Sequence, residues 1–180
     1  MSASGSRSVT LQTGIRPQAV AGITVTNDAN TLTVDTQAST FLFNKAEFLV
    51  RGQSFQVQSD GATYGAVPTD WTIEEQGPMK VVVRVDGVWR SGGLPLRNDL
   101  NRFRARLVFF RGKDEARVWL TFRNGNSFGW DTAGGGQPRQ ADVVLTGAGF
   151  GSATLLAAGG NYHLGSGVEK TWETVVPGSG

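Results

Sequence analysis

The residues of this chain best suited to chemistry are arginines spaced at even intervals around one tryptophan. Arg84, Arg104, Arg106, Arg117 and Arg123 fall at alternate positions of three neighbouring apolar segments, with Trp119 among them. A guanidinium fork binds a carboxylate through two parallel hydrogen bonds, and an indole offers an apolar plate for a sugar ring. A surface carrying both suits an acidic polysaccharide. The same residues also suit a solvated sheet face, where Asp86 and Glu115 would pair with the arginines. They suit equally a face covered by another sheet, domain or copy of the chain. The three uses stay open at this level.

Other patterns were tested against the chemistry they would need. Gly147-Ala148-Gly149-Phe150-Gly151 follows an apolar run, but a dinucleotide site needs a helix after the glycines. Too few residues separate Gly151 from Gly159-Gly160 for one, so a glycine-rich β-turn is expected. His163 is the one histidine; without a nucleophile-elbow context it reads as an ordinary strand or loop residue. Glu74-Glu75 are neighbours on a strand. Successive side chains there point to opposite faces, so a structural salt bridge is expected rather than an acid–base pair. Asp28 with Asn30, and Asn124-Gly125-Asn126 with Asp131, offer oxygen ligands, but neither has the spacing of an EF-hand calcium loop. Cysteine is absent, which excludes disulfides, thiolate metal sites and thiol nucleophiles. No catalytic constellation, metal site or cofactor is therefore expected.

Three long strands must position the arginines. They are read over residues 79–90, 102–111 and 115–124, with a long loop at 91–101 and a tight turn at Arg111-Gly112-Lys113-Asp114. Met79, Val81, Val83 and Val85 share one face of the first. Phe103, Leu107 and Phe109 do so on the second, and Ala116, Val118, Leu120 and Phe122 on the third. A period of two marks a half-buried antiparallel sheet. The opposite faces carry Lys80 and the arginine–tryptophan set. Shorter strands are expected at 9–13, 22–26, 31–35, 40–44, 47–50, 54–58, 71–76, 141–146, 152–157 and 168–176. Residues 61–69 and 124–140 are expected as loops, and Trp71, Trp89, Trp130 and Trp172 as core or loop anchors.

The 180 residues suffice for one domain, read over 9–176, with a disordered leader at 1–8 and a tail or linker at 177–180. The expected class is all-β: an antiparallel β-sandwich or partly open β-barrel. Seventeen basic against fifteen acidic residues leave a net charge of +2. That is sparse for a nucleic-acid footprint, so no nucleic-acid partner is expected. No apolar run reaches the ~20 residues of a membrane span. Met1-Ser-Ala-Ser-Gly-Ser6 has no apolar core of a signal peptide.

Several segments, in order, resemble exo-rhamnogalacturonan lyase-like proteins. They are Thr33-Val34-Asp35-Thr36 with Phe41-Leu42-Phe43, Glu74-Glu75-Gln76-Gly77-Pro78-Met79 through Val81-Val82-Val83-Arg84 to Gly87, Arg106-Leu107-Val108-Phe109-Phe110-Arg111-Gly112, Val118 to Asn124, and Gly165 to Glu173. The resemblance spans roughly residues 20–175. It implies the polysaccharide-associated β modules of that family, an extracellular or cell-surface location, and no catalytic residue carried by these positions. The helical toroid that accompanies such modules has no counterpart here, nor does their tryptophan-rich first segment. The leading expectation is a non-catalytic module that binds polysaccharide or supports a lyase. The alternatives are a structural subunit of an extracellular or particle-like homo-assembly, and a mutarotase-like or lyase enzyme.

Overall fold

Alternation of apolar and polar residues dominates the chain from residue 31 onward, and strands form wherever it persists. The computed structural model describes residues 21–50, 52–96, 100–125, 130–131, 137–138 and 143–178. The expected leader, and the short strand expected at 9–13, lie outside them. In chain order come β1 (Thr24–Asn27), β2 (Thr31–Asp35), β3 (Thr40–Asn44), β4 (Leu49–Val50), β5 (Gln53–Ser59) and β6 (Ala62–Gln76). Then follow β7 (Lys80–Ser91), β8 (Leu94–Pro95), β9 (Asn101–Phe110), β10 (Glu115–Asn124), β11 (Trp130–Asp131) and β12 (Gln137–Pro138). The last are β13 (Val143–Leu145), β14 (Gly147–Phe150), β15 (Ala153–Leu156), β16 (Tyr162–Leu164) and β17 (Glu169–Pro177).

The protein is all-β and antiparallel. One large sheet runs β1-β2-β3-β4-β5-β6-β7-β9-β10-β17, and β14 with β15 joins it through β5. β15 comes round against β17, so the sheet curls into a nearly closed barrel. Two small ladders, β11-β12 and β13-β16, lie off this path. The central three strands are where the period of two places them.

Five local expectations change, the first being Gly147–Phe150, which is strand β14 and not a turn. Residues 61–69 are strand, not loop: β5 pairs the start of β6 and β7 pairs the rest, with register shifts at Pro68/Asp70 and Ile73/Glu75. Gly65 and Pro68 look like breakers, but a proline is tolerated where a bulge interrupts the ladder. The loop at 91–101 contains β8, which folds back on the end of β7. The glycine-rich stretch 124–140 contains the β11-β12 pair. Met79 is not an inner-face residue; it precedes β7 and is 59% exposed.

The core lies inside the curl. Val81, Val83, Val85, Leu107, Phe109, Ala116, Val118, Leu120 and Phe122 are fully buried. The β2-β3 hairpin closes over them. Phe41 and Phe43 meet Phe109 edge-on at 5.1 and 6.0 Å between ring centroids. The hairpin's tip is tied down by the Thr36 hydroxyl, which donates to the Lys113 carbonyl at 2.6 Å, while the Gly112 amide donates to the Thr36 carbonyl at 2.7 Å. At the other end of the ladder the buried Asn124 amide donates to the carbonyls of Leu164 (2.8 Å) and Gly165 (3.1 Å). That side chain is a structural donor rather than a cation ligand; Asn126 lies outside the described residues.

Gly87 marks the tightest point of the barrel wall. It stands opposite Phe103, whose ring lies across it. A Cβ there would overlap that ring and the Val67 carbonyl oxygen. Gly87→Ala is expected to destabilise the fold by about 1–3 kcal/mol, as overpacking does in a filled core. A urea unfolding midpoint unchanged from wild type would show the wall to be slack.

Candidate functional site

The outward side of β6, β7, β9, β10 and β17 is one continuous face, and its side chains fall into rows set by the strand register. One row reads Thr72, Arg84, Arg106, Trp119 and Glu173. The next reads Asp70, Asp86, Arg104, Thr121 and Thr171. Beyond it, Arg102 and Arg123 stand opposite each other with Glu169 beside them. On the other side of the tryptophan row, Arg117 lies between Val108 and Val175. Arg84, Arg104, Arg106, Arg117, Trp119 and Arg123 therefore do share one face. Trp119 is half-buried at its middle.

Arg84 and Arg106 are direct cross-strand partners, an arrangement that is repulsive by itself. The bulge in β6 resolves it. It leaves Glu74 out of the ladder, and the carboxylate reaches both guanidinium groups. Arg106 donates through Nε at 2.8 Å and Nη2 at 3.3 Å, and Arg84 donates through Nη1 at 3.3 Å. The Glu74 side chain is 24% exposed. The Arg106 hydrogen bonds, with the charges of Arg106 and Arg84, hold its pKa below the usual glutamate range against the opposing effect of burial. The same bonds raise the pKa of Arg106. Asp86 serves a second pair: Arg104 Nε donates to it at 2.8 Å. Arg84 Nε lies 2.7 Å from its other oxygen, but off the line a hydrogen bond needs. Glu75, the other residue of the acidic pair, faces Lys80 at 2.7 Å.

These contacts divide the arginines. Arg84 and Arg106 are held by Glu74. Arg104 and Arg123 use only Nε, toward Asp86 and toward Glu169 at 3.4 Å. Arg117 and Arg102 make no ion pair among the described residues. The structural salt bridges expected of Glu74-Glu75 form, Glu74 to Arg84 and Arg106 and Glu75 to Lys80; Asp70, Arg102, Glu173 and the sharing of one carboxylate by two arginines were missed in the sequence. Alternation alone misplaces a residue beyond a bulge, and no glycine or proline flags the one at Glu74.

The remaining motifs find plain roles. His163 is exposed on β16 opposite Val144. The Asp28 carboxylate accepts from the Asn30 and Thr31 amides and the Thr31 hydroxyl, which closes a turn and lowers its pKa. No group of three or more acidic, histidine or cysteine side chains able to hold a metal occurs among the described residues. No helix among them is long and apolar enough to cross a membrane. Trp71, Trp89 and Trp172 are partly or fully buried anchors, and the side chain of Trp130 lies outside the described ones. No protein-family model matches the chain, and no curated protein matches it.

The depressed pKa of Glu74 gives a signed expectation. A carboxylate whose pKa is lowered by folding stabilises the protein above its unfolded pKa, and the contribution is lost as pH falls through the folded value. The partners are half-exposed, so the effect at neutral pH is about 0.5–1 kcal/mol. Glu74→Gln should lower the urea midpoint at neutral pH, and the gap should close in acid below the carboxylate range. A gap that is the same at both pH values would mean that Glu74 acts by packing and not by charge.

Proposed function

We propose that the chain is a non-catalytic β module that holds extracellular acidic polysaccharide on the outer face of the central ladder. The observation that carries this reading is the division among the arginines. Glu74 anchors Arg84 and Arg106 and keeps the face in shape. The Nη groups of Arg104 and Arg123 and the whole fork of Arg117 are uncommitted among the described residues. They flank Trp119 across β9 and β10, a spread that suits an extended chain better than a small molecule. Fork-to-carboxylate hydrogen bonds would read the acidic groups, and the indole would lie against a ring. The motif resemblance to rhamnogalacturonan lyase-like modules supports the same substrate class.

Isothermal titration with polygalacturonate and a panel of neutral polysaccharides tests it. Binding should be confined to the acidic polymers and should weaken as salt is raised. Arg104→Ala, Arg117→Ala and Trp119→Ala should each lower affinity about tenfold, equivalent to ~1.4 kcal/mol. A titration with no heat from the acidic polymers, or an affinity untouched by Arg104→Ala, would end this reading.

A second reading, a self-assembling structural subunit, is favoured by the apolar end of the same face. There Phe110 is 39% exposed and Val175 46%. Light scattering coupled to size exclusion decides it: a strictly monomeric species at high concentration excludes assembly.

A further inference from the structure

The outward side of β5, β14 and β15 differs from the ladder face in every chemical respect. It is concave, forming a trench of ≈ 520 Å³, and no charged side chain lines it among the described residues. The chain carries 17 basic and 15 acidic residues, so a lining of this size free of both is a distinct surface. Register explains the hollow. Ala148 and Phe150 point into the core, leaving Gly147 and Gly149 as the outward positions of β14. Gln58 stands opposite Gly147, and Gln56 opposite Gly149, with Thr154 on the other flank and Thr63 beyond Gln58. The floor has no side chains and the walls are amides and hydroxyls. A Cβ on Gly147 would come within 2.8 Å of the Gln58 amide oxygen, and one on Gly149 within 3.2 Å of the Ala153 carbonyl.

The backbone of β14 is paired on both sides, so a peptide cannot add here as a strand. Recognition has to come from side chains. Glutamine amides and threonine hydroxyls each donate and accept, as does every hydroxyl of a sugar. A charged ligand would lose hydration and find no counter-charge among the described residues. An apolar ligand would find little beyond Leu156 and three alanines. At Gly52 the trench meets a second hollow of ≈ 510 Å³, also without a charged lining residue among the described ones. Each is of ligand-pocket size, in the range of roughly 300–1,000 Å³. We infer that this trench is a binding site for an uncharged oligosaccharide, held by the Gln56, Gln58 and Thr154 side chains over the Gly147–Gly149 floor. It shares no residue with the ladder face and stands whether or not that face binds acidic polymer.

The test is an NMR titration of the whole chain with cello-, malto-, xylo- and manno-oligosaccharides, and with oligogalacturonate as the charged control. At least one neutral series should shift the amide signals of Gln56, Gln58, Gly149 and Thr154. Its affinity should be insensitive to added sodium chloride. The exposed-site variants Gln56→Ala/Gln58→Ala and Thr154→Ala should each weaken it about tenfold at an unchanged melting temperature, while Trp119→Ala leaves it intact. The inference fails if no neutral series perturbs the trench at millimolar concentration. It fails equally if only oligogalacturonate does, if the glutamine variants bind normally, or if Trp119→Ala abolishes the effect.

Discussion

The barrel depends on one ring placed where four strands converge. Phe48 sits in the turn before β4 and is 1% exposed. Its ring meets Phe55 of β5 at 5.9 Å, Trp71 of β6 at 5.8 Å, Phe103 of β9 at 5.7 Å and Phe150 of β14 at 6.4 Å. Offset and tilted aromatic contacts of this kind add to the stabilisation from burial itself. The consequence is geometric as well as energetic. A single sheet this long has to curl if its apolar face is to leave water, and Phe48 fills the space between β5, β6, β9 and β14. Phe103 extends the same cluster to Trp89 at 5.3 Å, and Trp89 to Phe122 at 5.7 Å. The aromatic interior therefore runs from the β3–β4 turn to the far side of the ladder.

That interior determines what the exterior can be. Because Val83, Leu107 and Val118 are committed inward, Arg84, Arg106 and Trp119 have to stand outward on neighbouring strands. Stacking cations on adjacent strands carries a repulsive cost, and the bulge at Glu74 offsets it with one carboxylate shared by two guanidinium groups. The face is consequently close to balanced in charge at its centre. Its uncommitted donors lie toward the margins, at Arg104, Arg117 and Arg123.

The opposite flank reaches a different result from the same alternation. On β14 the inward positions hold Ala148 and Phe150, and the outward ones hold glycine. Removing side chains from the middle strand of three turns a flat face into a trough, and the neighbouring glutamines and threonines become its walls. The barrel thus presents two outward surfaces of contrasting chemistry, one ionic, the other hollow and, among the described residues, without charge.

Much of this was legible in the residues. Alternation over 79–90, 102–111 and 115–124 determined the three central strands, their buried faces and the membership of the arginine–tryptophan face, because a strand's side-chain period of two leaves no other solution. Asp60-Gly61 was legible as a turn, and both residues have positive φ. The sequence did not show that Ala62 to Gln76 is one strand, since Gly65 and Pro68 weaken it locally and only pairing with β5 at its start and with β7 along the rest holds it extended. Nor did it show that Gly147 to Phe150 is a strand rather than a turn. Which carboxylate meets which guanidinium, and where the glycines leave a hollow, depend on bulges and cross-strand register. Those come from distant segments meeting, so tertiary structure alone decided them.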